Sequence, residues 1–234
     1  MDTYDFKADY PALLKNRLFE GFDAECLMRI LPSLNPEIGL YEKGEVVFRS
    51  SKRVQRAGLL LEGKAVVNFV GIKGENVRMR LLTPGQIFML EPALLNVMHP
   101  QMFYIQTLRR SRVFWFELRQ LQKKRMTVYE RRLMNNVGIV MAERNIEFYN
   151  KIYIYSQKHI RDRLRTYISM QPMVDGAYVM PLSQTDLAME LGVDRSALSR
   201  ELARLQQENV LKIEGRRIQV LAPDSLAALQ DADA

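Results

Sequence analysis

The strongest constraint on the fold is an interval with nothing to stop a helix. Between Gln120 and Pro172 there is no proline, and Gly138 is the only glycine. Within it Met126, Leu133, Val137, Val140, Arg144, Phe148, Ile152 and Tyr155 follow at steps of 7, 4, 3, 4, 4, 4 and 3, the repeat of one helical face. A helix of about thirty residues is roughly 45 Å long at 1.5 Å per residue. That outruns a small β domain, so the seam is expected to meet the same seam of a second copy, with Leu133, Val137, Val140 and Phe148 at the interface. The alternative is a helix lying along its own sheet. Arg144 is the member of the stripe that a dimer seam explains least.

The flanking segments have different textures. Residues 1 to about 35 read as short helices, with Leu13, Leu14, Leu18 and Phe19 on one face, until Asn35-Pro36 and Gly39 break the pattern. From there to about Leu118 short β-rich runs follow closely, at 46–49, 58–61, 65–70, 77–82, 87–90, 103–108 and 113–117. Turn residues punctuate them, among them Glu42-Lys43-Gly44, Glu62-Gly63 and Thr83-Pro84-Gly85. Strands of this length and spacing predict a jelly-roll or barrel-like domain. After Tyr155-Ser156 a second helix runs over 157–170, and 171–176 form a turn or short hairpin.

The stretch from Pro181 to Leu205 carries the most functional information. Ser183, with Asp186 three residues on, makes a capping-box-like start, and Leu187, Ala188 and Leu191 give a short apolar face. Gly192 can end this helix in the left-handed conformation, and Asp194 can cap the next. Two helices joined by a short glycine-containing turn predict a helix-turn-helix. In the second helix Leu198, Leu202 and Leu205 point inward, which leaves Arg195, Ser196, Ser199 and Arg200 outward. These side chains suit phosphates and base edges in a major groove. The run Leu211-Lys212-Ile213, Glu214-Gly215, Arg216-Arg217-Ile218-Gln219-Val220 alternates about a two-residue turn and predicts a basic β-hairpin. Helix-turn-helix plus hairpin is a winged helix. The fold class is therefore α+β: a jelly-roll β domain over 1–120, a long dimerisation helix over 121–155 and a winged helix-turn-helix over 156–234. The expected DNA contacts are Arg195, Ser196, Ser199, Arg200, Ser183, Gln184, Lys212, Arg216 and Arg217.

Charge and composition limit the other possibilities. The formal charge is +7, from 34 Lys and Arg against 27 Asp and Glu, which permits a polyanionic partner without demanding one. Residues 156–234 hold ten Lys and Arg against eleven Asp and Glu, so DNA binding must come from local placement of charge. A single cysteine, Cys26, excludes an internal disulfide and any CxxC metal knuckle, and His99 and His159 are the only histidines. No apolar run approaches eighteen residues and the start is acidic, so no membrane association and a cytoplasmic location are expected.

From about residue 15 to 221 the chain resembles the Crp/Fnr family of bacterial transcription regulators. The residues that carry the resemblance are Lys43-Gly44-Glu45-Val46-Val47-Phe48, Leu60-Leu61-Glu62-Gly63-Lys64, Leu82-Thr83-Pro84-Gly85-Gln86-Ile87-Phe88 and, most specifically, Leu182 to Leu205. The resemblance implies a cyclic-nucleotide-binding-like β domain and a homodimer on a palindromic DNA operator. It also implies control by a small effector, with RNA polymerase as a candidate further partner. In that family the reading positions fall on Arg195, Ser196, Ser199 and Arg200. Many members have Glu where Ser196 stands, so the half-site sequence does not carry over, whereas Arg200 fits a guanine contact. Members that bind cyclic AMP hold its phosphate with an Arg that follows a short helix. Here residues 85–103 contain no Lys or Arg, which disfavours a buried cyclic phosphate. The same segment is rich in Met, Leu and Phe and suits an apolar effector against Met89, Leu90, Met98 and Phe103. Plain core packing is the alternative for these four.

No enzyme is expected. Gly58-Leu-Leu-Leu-Glu-Gly-Lys64-Ala65 nearly matches a phosphate-binding loop, but Ala65 lacks the magnesium-ligating hydroxyl and the leucines belong in a strand. A cupin-like metalloenzyme with an appended interaction domain would need more histidines than two. An effector-independent DNA binder of the same fold remains a rival reading. Neither a metal nor a resident cofactor is called for.

Overall fold

A computed structural model describes residues 6–50, 54–71, 74, 76–95, 103–174, 177–179, 183–215 and 217–221. The chain divides into two compact units, 1–144 and 145–234, each with its own hydrophobic core.

The first unit opens with a short helix α1 (Tyr10–Leu14), a 3-10 turn over Arg17–Phe19 and helix α2 (Ala24–Leu34). Asp23 caps α2 by accepting from the Cys26 N–H at 2.7 Å, and Asn35 ends it in the left-handed conformation. The spacing of Leu27, Ile30, Leu31 and Leu34 puts all four into the core. Eight strands follow: β1 (Glu37–Tyr41), β2 (Val46–Arg49), β3 (Ala57–Glu62), β4 (Ala65–Val70), β5 (Asn76–Leu82), β6 (Ile87–Phe88), β7 (Phe103–Thr107) and β8 (Ser111–Phe116). They form two four-stranded sheets, in the orders β1-β8-β3-β6 and β2-β7-β4-β5, and every pairing is antiparallel. In β7 the alternation is plain: Phe103, Ile105 and Thr107 are buried, while Tyr104 and Gln106 are partly exposed. Gly63 makes the β3–β4 turn with φ +96, where any side chain would run into the Arg110 carbonyl and Ser111.

Two findings depart from the expectations for this unit. Strand β1 pairs in full with β8, from Glu37 opposite Trp115 to Tyr41 opposite Ser111, although Gly39 reads as a breaker. Its role is steric, because a side chain there would lie 2.6 Å from the Tyr41 ring and 2.9 Å from Trp115 Nε1. The run 87–90 is only half strand. After Phe88 the chain turns at Met89, a non-glycine residue with φ +60, into helix α3 (Leu90–Leu95).

Helix α4 (Val128–Ser156) is the long helix, and the division between the units falls within it. It starts with a reciprocal capping box: the Glu130 N–H donates to Thr127 Oγ1 at 3.2 Å, and the Thr127 N–H donates to Glu130 Oε2 at 2.8 Å. Leu133, Val137 and Val140 are then buried in the first unit's own core. This corrects the expected interface, since these three side chains are already covered within the chain. Arg144 on the same stripe pairs with Glu91 of α3 at 2.9 Å, which explains a charge there. Of the four expected interface residues only Phe148 is exposed. Asn136 fastens this part of α4 by donating to the Leu18 and Glu20 carbonyls at 3.0 and 2.9 Å.

The second unit holds the end of α4, α5 (Ile160–Ser169), α6 (Gln184–Leu191) and α7 (Arg195–Gln207). It also holds a four-stranded sheet of β9 (Met173–Val174), β10 (Ala177–Val179), β11 (Leu211–Glu214) and β12 (Arg217–Val220), in the order β11-β12-β10-β9. Its core joins Ile154, Leu164, Ile168, Leu187, Leu191, Leu198, Leu202, Leu205 and Ile218.

Glu130 yields a pH prediction. Burial opposes its ionisation, but donors from the Thr127 backbone, the Lys123 ammonium and the Ser33 hydroxyl outweigh that and lower its pKa from 4.5 to about 2. The folded value lies below the unfolded one, so the contribution to stability is complete above about 4.5 and is lost as the pH falls through 2. Glu130→Gln should lower the melting temperature at pH 7 and flatten the acid limb of the stability profile. Thermal melts followed by circular dichroism from pH 7 to 2 test this, and an unchanged acid limb would remove Glu130 as its source.

Candidate nucleic-acid interface

Helices α6 and α7 are set by caps that the sequence supplies locally. Ser183 accepts from the Asp186 N–H at 3.2 Å and starts α6. Gly192, at φ 63 and ψ 40, ends it, and the Val193 N–H reaches back to the Ala188 carbonyl at 2.9 Å. Asp194 then caps α7 through the Ser196 and Ala197 N–H groups at 2.8 and 3.3 Å. The turn is three residues long, Gly192 to Asp194, as a helix-turn-helix requires. Leu198, Leu202 and Leu205 bury one side of α7 against Leu187, Ala188 and Leu191. Arg195, Ser196, Ser199 and Arg200 are all exposed on the first two turns of the other side, as are Ser183 and Gln184 at the start of α6.

Side chains behind these helices hold them in place and occupy their acids. Arg161 of α5 pairs with Glu201 at 2.8 Å and Glu208 at 2.9 Å, and Arg204 pairs with Glu208 at 2.9 Å. Lys151 pairs with Glu190 at 3.1 Å. Among the described residues no ion pair engages Arg195, and the charge of Arg200 helps to hold the Asp194 carboxyl below its ordinary pKa, after the Ser196 and Ala197 hydrogen bonds. The sequence reading missed Arg163. Its guanidinium donates to the carbonyls of Gln157 at 2.9 Å, Leu191 and Gly192 at 3.1 Å each, and Tyr155 at 3.2 Å. It thereby ties the end of α4 and the start of the next helix to the turn before α7. An arginine four residues into a helix gives no signal of this in the sequence, because its acceptors are backbone oxygens.

The wing is the β11–β12 hairpin, paired from Leu211 opposite Val220 to Glu214 opposite Arg217. Lys212 and Arg217 are exposed, and Arg216 lies outside the described residues. Glu214 sits between the two cations: it pairs with Lys212 at 2.7 Å, and its pKa is lowered first by Lys212 and further by Arg217. In the β domain Met89, Leu90 and Phe103 are buried in the core, and Met98 and His99 lie outside the described residues. Phe103 stacks on Phe69 with ring centres 5.5 Å apart. The register also puts Arg80 in the row of Val67 and Ile105, a cation upstream of the segment that the sequence reading considered.

Two family models match this architecture. The cyclic nucleotide-binding domain covers residues 39–127, and the Crp-like helix-turn-helix domain covers residues 162–229. The chain belongs to the Crp/Fnr family of transcription regulators. Solved structures share the fold of this Crp/Fnr protein. A CooA mutant from Carboxydothermus hydrogenoformans aligns with a TM-score of 0.64 at 16% identity, covering 89% of this chain and 91% of its own. CprK complexed with OCPA aligns at 0.57 and 20%, covering 87% and 92%. FixK2 from Bradyrhizobium japonicum aligns at 0.57 and 16%, covering 85% and 99%. No curated protein matches the sequence. As a Crp/Fnr member the chain is a DNA-binding transcription regulator. Among the described residues no helix is long and apolar enough to cross a membrane.

The turn provides a direct test of this Crp/Fnr reading head. A Cβ on Gly192 would lie 2.9 Å from the Tyr155 ring, at a φ that side chains resist. Gly192→Ala should cost about 1–3 kcal/mol. Calorimetry should show a lower melting temperature together with weaker DNA binding, and a variant as stable as the parent would show that the turn tolerates a side chain.

Proposed function

We propose that the protein acts as a homodimer on a roughly palindromic operator, with two α7 helices entering major grooves about 34 Å apart. The observation that carries this reading is the group Arg195, Ser196, Ser199 and Arg200, all exposed on a doubly anchored helix whose opposite side is core. Selection of bound sequences from random DNA, with and without cell extract, tests binding, symmetry and effector dependence together. Arg200→Ala should cost roughly 1–3 kcal/mol per half-site and relax one base pair. Arg217→Ala, in contrast, should weaken all sequences alike and lower the salt slope by about one unit. Selection profiles and salt titrations separate the two, and an unchanged profile for Arg200→Ala would withdraw its role.

The dimer rests on α4, which carries apolar residues on opposite sides. Leu133, Val137 and Val140 face the core, whereas Ile139, Ile146, Tyr149 and Tyr153 are exposed. The exposed set follows at steps of 7, 3 and 4, a heptad seam about half a turn away from the buried stripe. We therefore move the proposed seam to these four residues, within the long helix of the division 1–120, 121–155 and 156–234. Ile146→Asp should yield a monomer by light scattering with much weakened operator binding. Val137→Asp should instead unfold the β domain, and a dimeric Ile146→Asp protein would place the seam elsewhere.

The effector in this reading is a small apolar compound that enters against Met89, Leu90, Met98 and Phe103 and favours one arrangement of the α4 pair. The apolar wall and the left-handed backbone at Met89 support it. RNA polymerase is the further partner proposed for the DNA-bound dimer.

A further inference from the structure

The cap of α7 also restricts what one of its reading side chains can say to a base. Asp194 Oδ1 accepts three hydrogen bonds, from the Ser196 N–H at 2.8 Å, the Ala197 N–H at 3.3 Å and the Ser196 hydroxyl. Together these hold the Asp194 carboxyl below its ordinary pKa, the Ser196 hydroxyl first among them, so at neutral pH the group is a carboxylate. A carboxylate offers acceptors only, so the proton on the Ser196–Asp194 line belongs to the serine, and a hydroxyl has one proton and two lone pairs. The N–H bond from the same residue to the same oxygen closes a small ring that pins the serine's orientation. Ser199, one turn further on, has no side-chain hydrogen bond among the described residues and keeps its proton available.

We propose that Ser196 is an acceptor-only reader: with its proton held by Asp194, it presents lone pairs to the major groove and selects a base that offers an amino group, cytosine N4 or adenine N6. A free serine hydroxyl discriminates poorly, because it can donate to the acceptors of guanine and thymine or accept from amines. Asp194 removes the first option. One carboxylate thus anchors the reading helix and sets the hydrogen-bond polarity of its second residue. The inference rests on the assignment of α7 to the major groove and adds the class of base that Ser196 reads.

The test uses the full-length protein. Sequence selection with the parent and with Ser196→Ala identifies the base pair whose preference depends on Ser196. The substitution is at an exposed position in the first turn of α7, and a thermal melt checks that the variant is folded. At that base pair one duplex replaces the amino-bearing base by an analogue without the exocyclic amine, purine for adenine or 2-pyrimidinone for cytosine. A second duplex carries a 7-deazapurine and so lacks the N7 acceptor. The parent should lose roughly threefold to tenfold in affinity per half-site when the amine is removed and nothing with the 7-deazapurine. Comparison with Ser196→Ala on the same duplexes subtracts the effect of the analogue on base pairing. A parent protein sensitive to the loss of N7 and indifferent to the loss of the amine would overturn the proposal, as would a selected sequence that Ser196→Ala leaves unchanged. If the parent selects no sequence at all, the assignment of α7 to the major groove falls first and this proposal with it.

Discussion

The structure depends on how α4 disposes of two apolar sides. Its first half is committed: the Thr127–Glu130 box starts it, Leu133, Val137 and Val140 fill the core, and Asn136 and Arg144 bind it to the N-terminal turn and to α3. The core that covers it ends near Arg144, whereas the helix continues to Ser156. Ile146, Tyr149 and Tyr153 are therefore left in water, each more than half exposed. Isolated apolar residues on a surface need no explanation, but a heptad row on one helix does. A second copy presents the same row, and two-fold pairing is the simplest arrangement that satisfies both.

The winged helix solves a different problem, because it must meet a polyanion without a bulk positive charge. Most of its acids in the structured region have a local cation or donor. Glu201 and Glu208 are held by Arg161 and Arg204, Glu190 by Lys151, and Asp194 is occupied by the first turn of α7. Arg195 and Arg200 are thereby left to face outward with little opposing charge on their side. The wing is weaker in this respect, since Glu214 draws on both Lys212 and Arg217. Positive potential is accordingly concentrated at α7, where base edges would be, and this favours specificity over indiscriminate binding.

Features settled by local chemistry were legible in the sequence, and those settled by tertiary contact were not. The helix-turn-helix could be read because Ser183, Gly192 and Asp194 act within a few residues of themselves. The strand runs could be read because turn residues separate them. Strand β1 was hidden by Gly39, whose meaning depends on Tyr41 and on Trp115, a residue far along the chain. The long helix was legible as a helix, but its seam was not, because periodicity identifies an apolar stripe without saying what covers it. Two stripes half a turn apart gave the sequence reading one correct length and the wrong interface residues. Arg144, the charge that fitted the stripe least, marked the side that faces the chain's own β domain.

In the proposed dimer, regulation has to pass from the α4 pair to the reading helices, and the second unit contains a rigid route for it. Arg163 holds carbonyls at the end of α4 and at the turn that precedes α7, and Tyr155 lies against Gly192 with the Arg163 guanidinium 5.9 Å from its ring centre. A planar guanidinium that donates to four backbone oxygens resists bending better than one flexible ion pair, because every acceptor would have to be given up together. The last turn of α4 and the helix-turn-helix therefore move as one piece. A small change in the angle between two paired α4 helices then becomes a change in the separation and tilt of two α7 helices, to which half-site spacing is sensitive. An effector that binds both arrangements equally shifts nothing, so control must come from contacts that differ between them. The buried link from Glu91 of α3 to Arg144 of α4 places such a contact between the strained turn at Met89 and the helix that carries the seam.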